Sequence, residues 1–317
     1  MSDTPMFSII APIFNEIGNL PEFYRRVRQT MDQTGESWEL LLVDDGSTDG
    51  STDKIRQLAG ADPRLKPVIF ARNLGHQLAV TAGLDYAAGQ AVVIIDSDLQ
   101  DPPEVMLDMI AKWREGNEVV YAVRSEREGE TWFKLATASL FYRLIYRITD
   151  VDIPMDTGDF RLLDHKVVAV MRQMRERHRF LRGMSVWVGF KQAGVQYKRA
   201  ARFSRQTKYP FKKMFKFDSD AITSFSYLPL QIATYIGFIA AGLSILAIPV
   251  VIILRILGSQ SFLGQASTLI AVLFLGGVQL ISLGILGEYI GRLYDEAKGR
   301  PLYIVRDAPP KPQSSDQ

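Results

Sequence analysis

Residues 92–104 decide the fold, and they read Val92-Val93-Ile94-Ile95-Asp96-Ser97-Asp98-Leu99-Gln100-Asp101-Pro102-Pro103-Glu104. The run of β-branched residues predicts a buried strand, and two carboxylates separated by one small residue follow it. In an open α/β sheet, ligands bind beyond the carboxyl ends of the strands. Two acids at that edge therefore predict a site for a hard divalent cation, which usually brings a phosphate group with it.

Short apolar strands alternate with helical patterns over the first hundred residues. The predicted strands span 7–13, 38–43, 65–70 and 91–95, and the predicted helices span 20–31, 52–58 and 77–88. A further strand is predicted at 118–123, and a helix at 164–177. This alternation predicts an α/β fold with a doubly wound, mostly parallel sheet.

A second acidic pair, Asp44 and Asp45, ends the second predicted strand. It should open on the same sheet edge as Asp96 and Asp98, and a simple turn is the alternative interpretation. Such an acid can accept hydrogen bonds from a uracil imide, a guanine amide or a ribose hydroxyl, as in dinucleotide-binding folds. Both Asp44 and Asp45 are therefore predicted nucleotide contacts.

The phosphates of such a ligand need a partner other than a glycine cradle, because the chain has neither a Walker loop nor a G-x-G-x-x-G motif. We expect Asp98 to bind Mg²⁺ or Mn²⁺ directly, with Gln100 as a neutral oxygen ligand. Asp96 would contact a ribose or the hydration sphere of the metal. A divalent cation stabilises the charge that develops on a departing nucleoside diphosphate, so the site suits a nucleotide sugar.

Two long stretches, 221–254 and 258–287, contain no charged residue. Each exceeds the ~20 residues that cross a bilayer as a helix. They predict a two-helix transmembrane anchor within 216–294, with helices at about 228–256 and 266–292. Residues 1–215 would then form a catalytic domain with interfacial helices, and 295–317 a tail.

Charge distribution predicts the orientation of that anchor. The net charge of +2 gives no reason to expect a nucleic-acid partner. Basic residues cluster before the first apolar stretch and after the second, and the connector contains only Arg255. The positive-inside rule then places the catalytic domain and both termini in the cytoplasm. The absence of cysteine excludes disulfides.

Four motifs carry a family resemblance, and they are Ala11-Pro12-Ile13-Phe14-Asn15-Glu16, Val43-Asp44-Asp45-Gly46-Ser47-Thr48-Asp49-Gly50, Asn73-Leu74-Gly75-His76-Gln77 and residues 96–104. With these motifs the chain resembles the inverting glycosyltransferases of glycosyltransferase family 2, which have the GT-A fold. Residues 157–162, 207–210 and 286–292 resemble its polyprenyl-phosphate branch. That branch includes dolichol-phosphate mannose synthases and bacterial undecaprenyl-phosphate glucosyltransferases.

The resemblance implies roles for individual residues. Nucleotide contacts would come from Pro12, Phe14, Glu16, Val43 and Asp45. Asp96, Asp98 and Gln100 would hold the metal and the pyrophosphate, and Asp159 would be the catalytic base. A phosphate dianion, however, is already a nucleophile at neutral pH because its second pKa lies near ~6. Asp159 could instead orient a basic residue or a sugar hydroxyl, or pair with Arg161.

An anionic lipid acceptor requires cationic residues close to a bilayer. The candidates follow the last predicted strand or precede the anchor, and they are Arg124, Arg127, Lys134, Ser139, Arg202, Arg205, Lys208 and Tyr209. Binding of anionic lipid headgroups, at ~1 kcal/mol per residue, is the alternative role for such residues. The stretch 133–148 predicts a helix that lies either in the membrane interface or against the core.

These patterns together predict an integral membrane enzyme of a bacterial inner membrane. By the family resemblance, it would transfer one sugar, glucose from UDP-glucose, to a polyprenyl phosphate at the cytoplasmic face, with inversion. GDP-mannose or another UDP-sugar is an alternative donor. A processive synthase and a non-catalytic membrane scaffold are alternative functions. Glycine-rich membrane helices indicate a homo-oligomer, for which a tetramer is one candidate.

Overall fold

The computed structural model describes residues 4–124, 157–198, 228–256 and 265–312. Its strands are β1 (Phe7–Ile13), β2 (Trp38–Asp44), β3 (Leu65–Phe70), β4 (Ala91–Ile94), β5 (Val119–Arg124), β6 (Thr157–Asp164), β7 (Gln192–Tyr197) and β8 (Val305–Asp307). Its helices are α1 (Leu20–Asp32), α2 (Ser51–Ala61), α3 (His76–Tyr86), α4 (Val105–Arg114), α5 (His165–Gln173), α6 (Leu181–Trp187), α7 (Leu228–Ile256) and α8 (Gln265–Ala297).

The eight strands of the described residues form one sheet in the order β7-β5-β6-β4-β1-β2-β3-β8. Four neighbouring strands, β4, β1, β2 and β3, are parallel. Strand β6 runs antiparallel between β4 and β5, and β8 runs antiparallel along β3. The prediction of an α/β, mostly parallel sheet is therefore confirmed. Because these four strands run in the same direction, their carboxyl ends meet at one edge.

Apolar layers cover both faces of this sheet. Successive side chains of a strand point to opposite faces, so Ile9 packs towards α1 and α4 while Ile10 packs towards α3. All seven residues of β1 and all seven of β2 are buried. These central strands are covered on both faces, and functional groups are therefore confined to the loops at the strand ends.

Several elements differ from their predictions. Helix α5 ends at Gln173, whereas the helical pattern predicted a helix to 177. No strand was predicted for β6, β7 or β8. In β6 the charged residues Asp159 and Arg161 interrupt the apolar pattern, β7 has a single aliphatic residue larger than alanine, Val195, and β8 has three residues. A pattern-based prediction recognises buried strands by continuous apolar runs, so it misses strands of this kind.

Helices α7 and α8 fall on the two uncharged stretches. Within the described part of the chain, one segment, Phe274–Ala297, is long and apolar enough to cross a membrane. Large apolar side chains on both helices are exposed, for example Phe238 at 73% and Leu280 at 72%. The exposed apolar surface fits a membrane location for α8, and the two-span anchor with its domain boundaries stays a prediction.

The chain returns to the sheet after α8, through the return segment, residues 298–312. Strand β8 pairs with the edge strand β3, and the Tyr303 ring stacks on Phe70 at 5.4 Å between centroids. The Tyr303 hydroxyl donates to Asp85 on α3 at 2.6 Å. Just before the return segment, Glu296 accepts a hydrogen bond from the Arg177 backbone N–H at 2.6 Å. These contacts attach the end of α8 to the part of the chain that forms the sheet.

We expect Tyr303→Ala to destabilise this attachment by about 2 kcal/mol, because it removes a stacked ring and a hydrogen bond to Asp85. The measurement is the unfolding midpoint of the full chain in detergent. The neighbouring Ile304 is 52% exposed, so Ile304→Ala should cost less than about 0.5 kcal/mol. Equal shifts for the two variants would show that the Tyr303 contacts do not hold the return segment.

Candidate active site

The carboxyl ends of β1, β2 and β4 surround a cavity of about 520 Å³. This volume lies within the range of small-molecule binding pockets. Six of the predicted site residues line it, and they are Pro12, Phe14, Glu16, Asp45, Asp96 and Asp98. His76, Asn73 and Ser97 also contribute to its wall. The structure therefore brings together acids from two strand ends that lie 51 to 53 positions apart in the chain.

Hydrogen bonds join the loops that follow β1 and β2. The Asn15 N–H donates to the Ser47 hydroxyl at 3.0 Å, and the Asn15 side-chain oxygen accepts from the Thr48 N–H at 2.8 Å. The Glu16 N–H donates to the Ser51 hydroxyl at 3.0 Å. Asn15 has a left-handed backbone with φ of 55°, a conformation that asparagine tolerates better than most residues. This geometry presents Phe14 and Glu16 to the cavity.

Asp44 and Asp45 are adjacent in the chain, but their carboxylates have different hydrogen-bond partners. Asp44 is fully buried, and its carboxylate accepts from the Ser47 N–H at 3.0 Å and from the Thr52 hydroxyl. These contacts hold the turn after β2. Val43 is likewise fully buried in the core. Neither residue lines the cavity wall that the structure describes, so their nucleotide contacts stay predictions.

Asp45, in contrast, faces the cavity and the loop before α3. Its carboxylate accepts from the Leu74 N–H at 2.6 Å and from the Gly75 N–H at 2.9 Å. Burial nevertheless raises the pKa of Asp45 above its ordinary value. An acid that the backbone holds in place at the cavity wall is suited to recognise a donor group of a base or a ribose.

The loops after β2 and β3 approach closely at Gly46. Its φ is +71°, and a Cβ there would lie 2.6 Å from the backbone carbon of Arg72 and the backbone nitrogen of Asn73. Backbone atoms cannot move aside as a flexible side chain would. We therefore expect Gly46→Ala to destabilise the fold by about 3 kcal/mol, measured as the free energy of unfolding.

A matched control for that substitution is Gly35→Ala. Gly35 has a similar φ of +68°, but no atom would lie within 4 Å of its Cβ. Only the left-handed backbone is then penalised, at about 1 kcal/mol. If both variants lost the same stability, backbone strain alone would explain the loss, and the close approach at Gly46 would have no energetic weight.

The acids after β4 present carboxylate oxygens to the cavity. Asp98 accepts from the Gln100 N–H at 3.1 Å, and the intervening Leu99 is buried with a left-handed φ of 62°. Such strained residues cluster at functional sites and cost about 1–3 kcal/mol. Burial raises the pKa of Asp96 to about 6, and nearby carboxylates including Asp159 add to the rise.

These oxygens fit a divalent cation that arrives with a phosphate ligand. Within the described residues, no three His, Asp or Glu side chains form a group that could hold a metal ion. Mg²⁺ in proteins is typically bound by one or two carboxylates, waters and substrate phosphates. Asp96 and Asp98 at the cavity wall could provide the protein part of such a site. The role of Gln100, which does not line the described cavity wall, stays a prediction.

Asp159 lies on β6, beside β4, and its partners were not predicted. Its carboxylate accepts from Arg182 Nε at 2.6 Å and contacts His76 Nε2 at 3.1 Å. Gln77 Nε2 lies 3.4 Å away. Although burial opposes ionisation, Arg182 and His76 hold the pKa of Asp159 well below its ordinary value. A carboxylate that binds protons so weakly is a poor general base.

His76 and Arg182 are functional candidates that sequence reasoning did not assign. Burial opposes the charged imidazole, but the carboxylates of Asp96 and Asp159 raise the pKa of His76 to about 9. His76 belongs to the Asn73–Gln77 motif, one of the four that carry the family resemblance, and this motif is the sequence feature that could have identified it. No sequence motif singled out Arg182. The expected alternative partner of Asp159, Arg161, donates instead to the Gly158 carbonyl at 3.0 Å and to Ser185.

Arg124 is the one predicted acceptor residue that lies in the part of the chain the structure describes. It ends β5, and its Nε donates to the Tyr197 hydroxyl at 3.4 Å. Tyr197 in turn donates to Asp101. The helix predicted at 133–148 and the remaining candidates lie outside the described residues, and these candidates are Arg127, Lys134, Ser139, Arg202, Arg205, Lys208 and Tyr209.

The chain is similar to known glycosyltransferases in sequence. The family model for Glycosyl transferase family 2 matches residues 8–171. The uncharacterized glycosyltransferase YkcC of Bacillus subtilis is 51% identical over 306 residues, covering 96% of this chain and 95% of its own. A prophage bactoprenol glucosyl transferase homolog of Escherichia coli is 41% identical, covering 94% and 98%. The solved mannosyl-3-phosphoglycerate synthase of Rubrobacter xylanophilus aligns at a TM-score of 0.47 with 14% identity, covering 69% of this chain and 72% of its own.

Proposed function

This chain belongs to glycosyltransferase family 2, and we propose that it transfers one sugar from a nucleotide sugar to the phosphate of a polyprenyl phosphate at a membrane. The observation that carries the proposal is the convergence of Asp45, Asp96 and Asp98 on one cavity. Asp159 contacts His76, which also lines that cavity. Relatives named bactoprenol glucosyl transferase support a polyprenyl acceptor and glucose as the sugar.

The donor would occupy the cavity at the strand ends. Asp45 would accept a hydrogen bond from the base or the ribose, and Phe14 and Glu16 would flank the nucleotide. Asp98, Asp96 and Gln100 would hold Mg²⁺ or Mn²⁺. A bound cation there would neutralise charge on the diphosphate leaving group. UDP-glucose is the proposed donor, and GDP-mannose or another UDP-sugar is the alternative.

The acceptor would react as a phosphate dianion. One of its oxygens attacks the anomeric carbon, the bond from that carbon to the diphosphate oxygen breaks, and the configuration inverts. No proton has to leave the nucleophile, because the second pKa of a phosphate lies near ~6. Asp159 would therefore orient Arg182 through the 2.6 Å hydrogen bond, and Arg182 would stabilise anionic oxygens of the reactants.

The contacts of α8 support a lipid acceptor. His178 lies 3.5 Å from Asp295, and the Arg177 N–H donates to Glu296, both at the end of α8. Arg182 follows His178 by four residues and contacts Asp159. A short piece of chain thus connects the end of an apolar helix to the reaction centre. We propose two membrane spans, a cytoplasmic catalytic domain and cytoplasmic termini in a bacterial inner membrane, and a homo-oligomer.

A transfer assay on the full-length protein in detergent tests this function. Each of several radiolabelled nucleotide sugars is incubated with undecaprenyl phosphate and Mg²⁺ or Mn²⁺, and undecaprenol without phosphate is the control acceptor. We expect label in the organic phase with UDP-glucose, and none with undecaprenol or after chelation of the metal. Labelled polymer would indicate a processive synthase instead. No transfer from any donor would support a non-catalytic scaffold.

A further inference from the structure

His76 connects two acids that come from different strands. It is the first residue of α3, it lines the cavity, and its side chain is 32% exposed. Its Nε2 lies 3.1 Å from an Asp159 oxygen and 3.8 Å from an Asp96 oxygen. One imidazole thus contacts the acid expected beside the departing diphosphate and the acid that binds Arg182.

The backbone around His76 extends this connection to both sides. The coupling segment, residues 74–77, donates the Leu74 and Gly75 N–H groups to Asp45 in the donor cavity. At its other end, the Gln77 side-chain oxygen accepts from the Leu181 N–H at 3.1 Å, where α6 begins. The residue after Leu181 is Arg182, which binds Asp159. Four consecutive residues therefore contact the nucleotide-side acid, both central acids and the helix that carries Arg182.

We propose that His76 is a positioning residue that holds Asp159, and through it Arg182, in the geometry required for attack on the donor sugar. The inference rests on the proposed function and deepens it by assigning the link between the donor and acceptor halves of the site. Reacting atoms must meet within a narrow range of distance and angle, and a shift of about 1 Å costs on the order of 100-fold in rate. His76 would act on turnover rather than on donor affinity.

Steady-state kinetics with His76→Ala and His76→Gln test this role. We expect His76→Ala to lower kcat about 50-fold while KM for the nucleotide sugar changes less than about 3-fold. Glutamine retains an N–H group that can reach Asp159, so His76→Gln should recover most of the lost turnover. A rise in KM for the donor with unchanged kcat would make His76 a donor contact and overturn the inference.

His165 provides a matched control. It is also the first residue of a helix, and it lies 3.0 Å from the neighbouring Asp164. Asp164 pairs with Ala91 at the start of β4, so this histidine lies at the opposite sheet edge from the cavity. His165→Ala should leave kcat within about 2-fold of the wild type. An equal loss in both histidine variants would indicate a general structural effect and contradict the inference.

A double-mutant cycle tests whether His76 acts through Asp159. In an Asp159→Asn background, adding His76→Ala should lower kcat by less than about 3-fold, because the partner that it positions has already lost its charge. Independent, multiplying losses would overturn the inference.

A measurement that needs no acceptor separates this inference from the proposed function. In protein labelled with ¹⁵N-histidine, Asp159→Asn should shift the imidazole signal of His76 and leave those of His165 and His178 in place. A His76 signal that does not move would overturn the positioning role, whatever the acceptor is. Normal signal shifts without any sugar transfer by the wild type would contradict the proposed function alone.

Discussion

Asp98→Asn should lower sugar transfer by about 1,000-fold and leave the fold intact. The carboxylate lies at the cavity wall, where its charge would hold the divalent cation that neutralises the departing diphosphate. Asparagine has the same shape and retains an oxygen that can accept from the Gln100 N–H, so the turn after β4 keeps its hydrogen bond. Turnover at saturating metal and the thermal unfolding midpoint are the two measurements.

The control for the lost charge is Asp108→Asn. Asp108 lies ten residues further along the chain, on α4, and is exposed to solvent away from the cavity. Its substitution should leave turnover within about 2-fold of the wild type. Affinity for Mn²⁺ in the presence of a nucleoside diphosphate should fall in Asp98→Asn and stay constant in Asp108→Asn. Near-normal turnover of Asp98→Asn at saturating metal would exclude a metal-ligand role for Asp98.

Asp159→Asn should lower kcat by about 100-fold without moving the midpoint of the pH–rate profile. Arg182 and His76 hold the pKa of Asp159 well below its ordinary value, so this carboxylate is ionised throughout the range from about pH 5 to 9. The wild-type rate should rise with pH as the acceptor phosphate loses its second proton near ~6. Loss of Asp159 removes the group that orients Arg182, which lowers the plateau and leaves that ionisation unchanged.

One further measurement identifies the group that titrates, and a second tests the pairing of Asp159 with Arg182. A phosphorothioate acceptor, which ionises at lower pH, should move the midpoint downwards if the acceptor controls it. Arg182→Ala should lose as much turnover as Asp159→Asn, because the two side chains act as a pair. If Asp159→Asn abolished the pH dependence instead, Asp159 would be the general base.

The part of the fold that follows from local pattern was predicted well. Strands β1, β2 and β4 are mainly apolar, and each is followed by polar residues at the point where a parallel strand ends. The sequence alone therefore assigns Asp45, Asp96 and Asp98 to one edge, because parallel strands place their carboxyl ends together. The cavity lined by these residues has that arrangement.

The turn after β2 shows where local pattern stops being informative. Asp44 and Asp45 are identical side chains in adjacent positions, and both were predicted to contact the nucleotide. In the structure, Asp44 is buried in its own turn, while Asp45 receives N–H groups from a loop 29 and 30 residues away. Which of two neighbouring acids lines the cavity depends on the direction of each side chain, and that direction cannot be read from the residue types alone.

Amino-acid order alone established the parallel sheet, the acids at its edge and the two uncharged stretches, since these depend on periodicities that short segments carry by themselves. Only tertiary packing decided what surrounds Asp159. Its partners His76 and Arg182 lie 83 and 23 residues away, and β6, which carries Asp159, joins the sheet antiparallel between two earlier strands. Contacts between residues so far apart in the chain form because burial of the apolar layers brings distant strands together. The free energy of this burial comes from the whole core and not from any short segment.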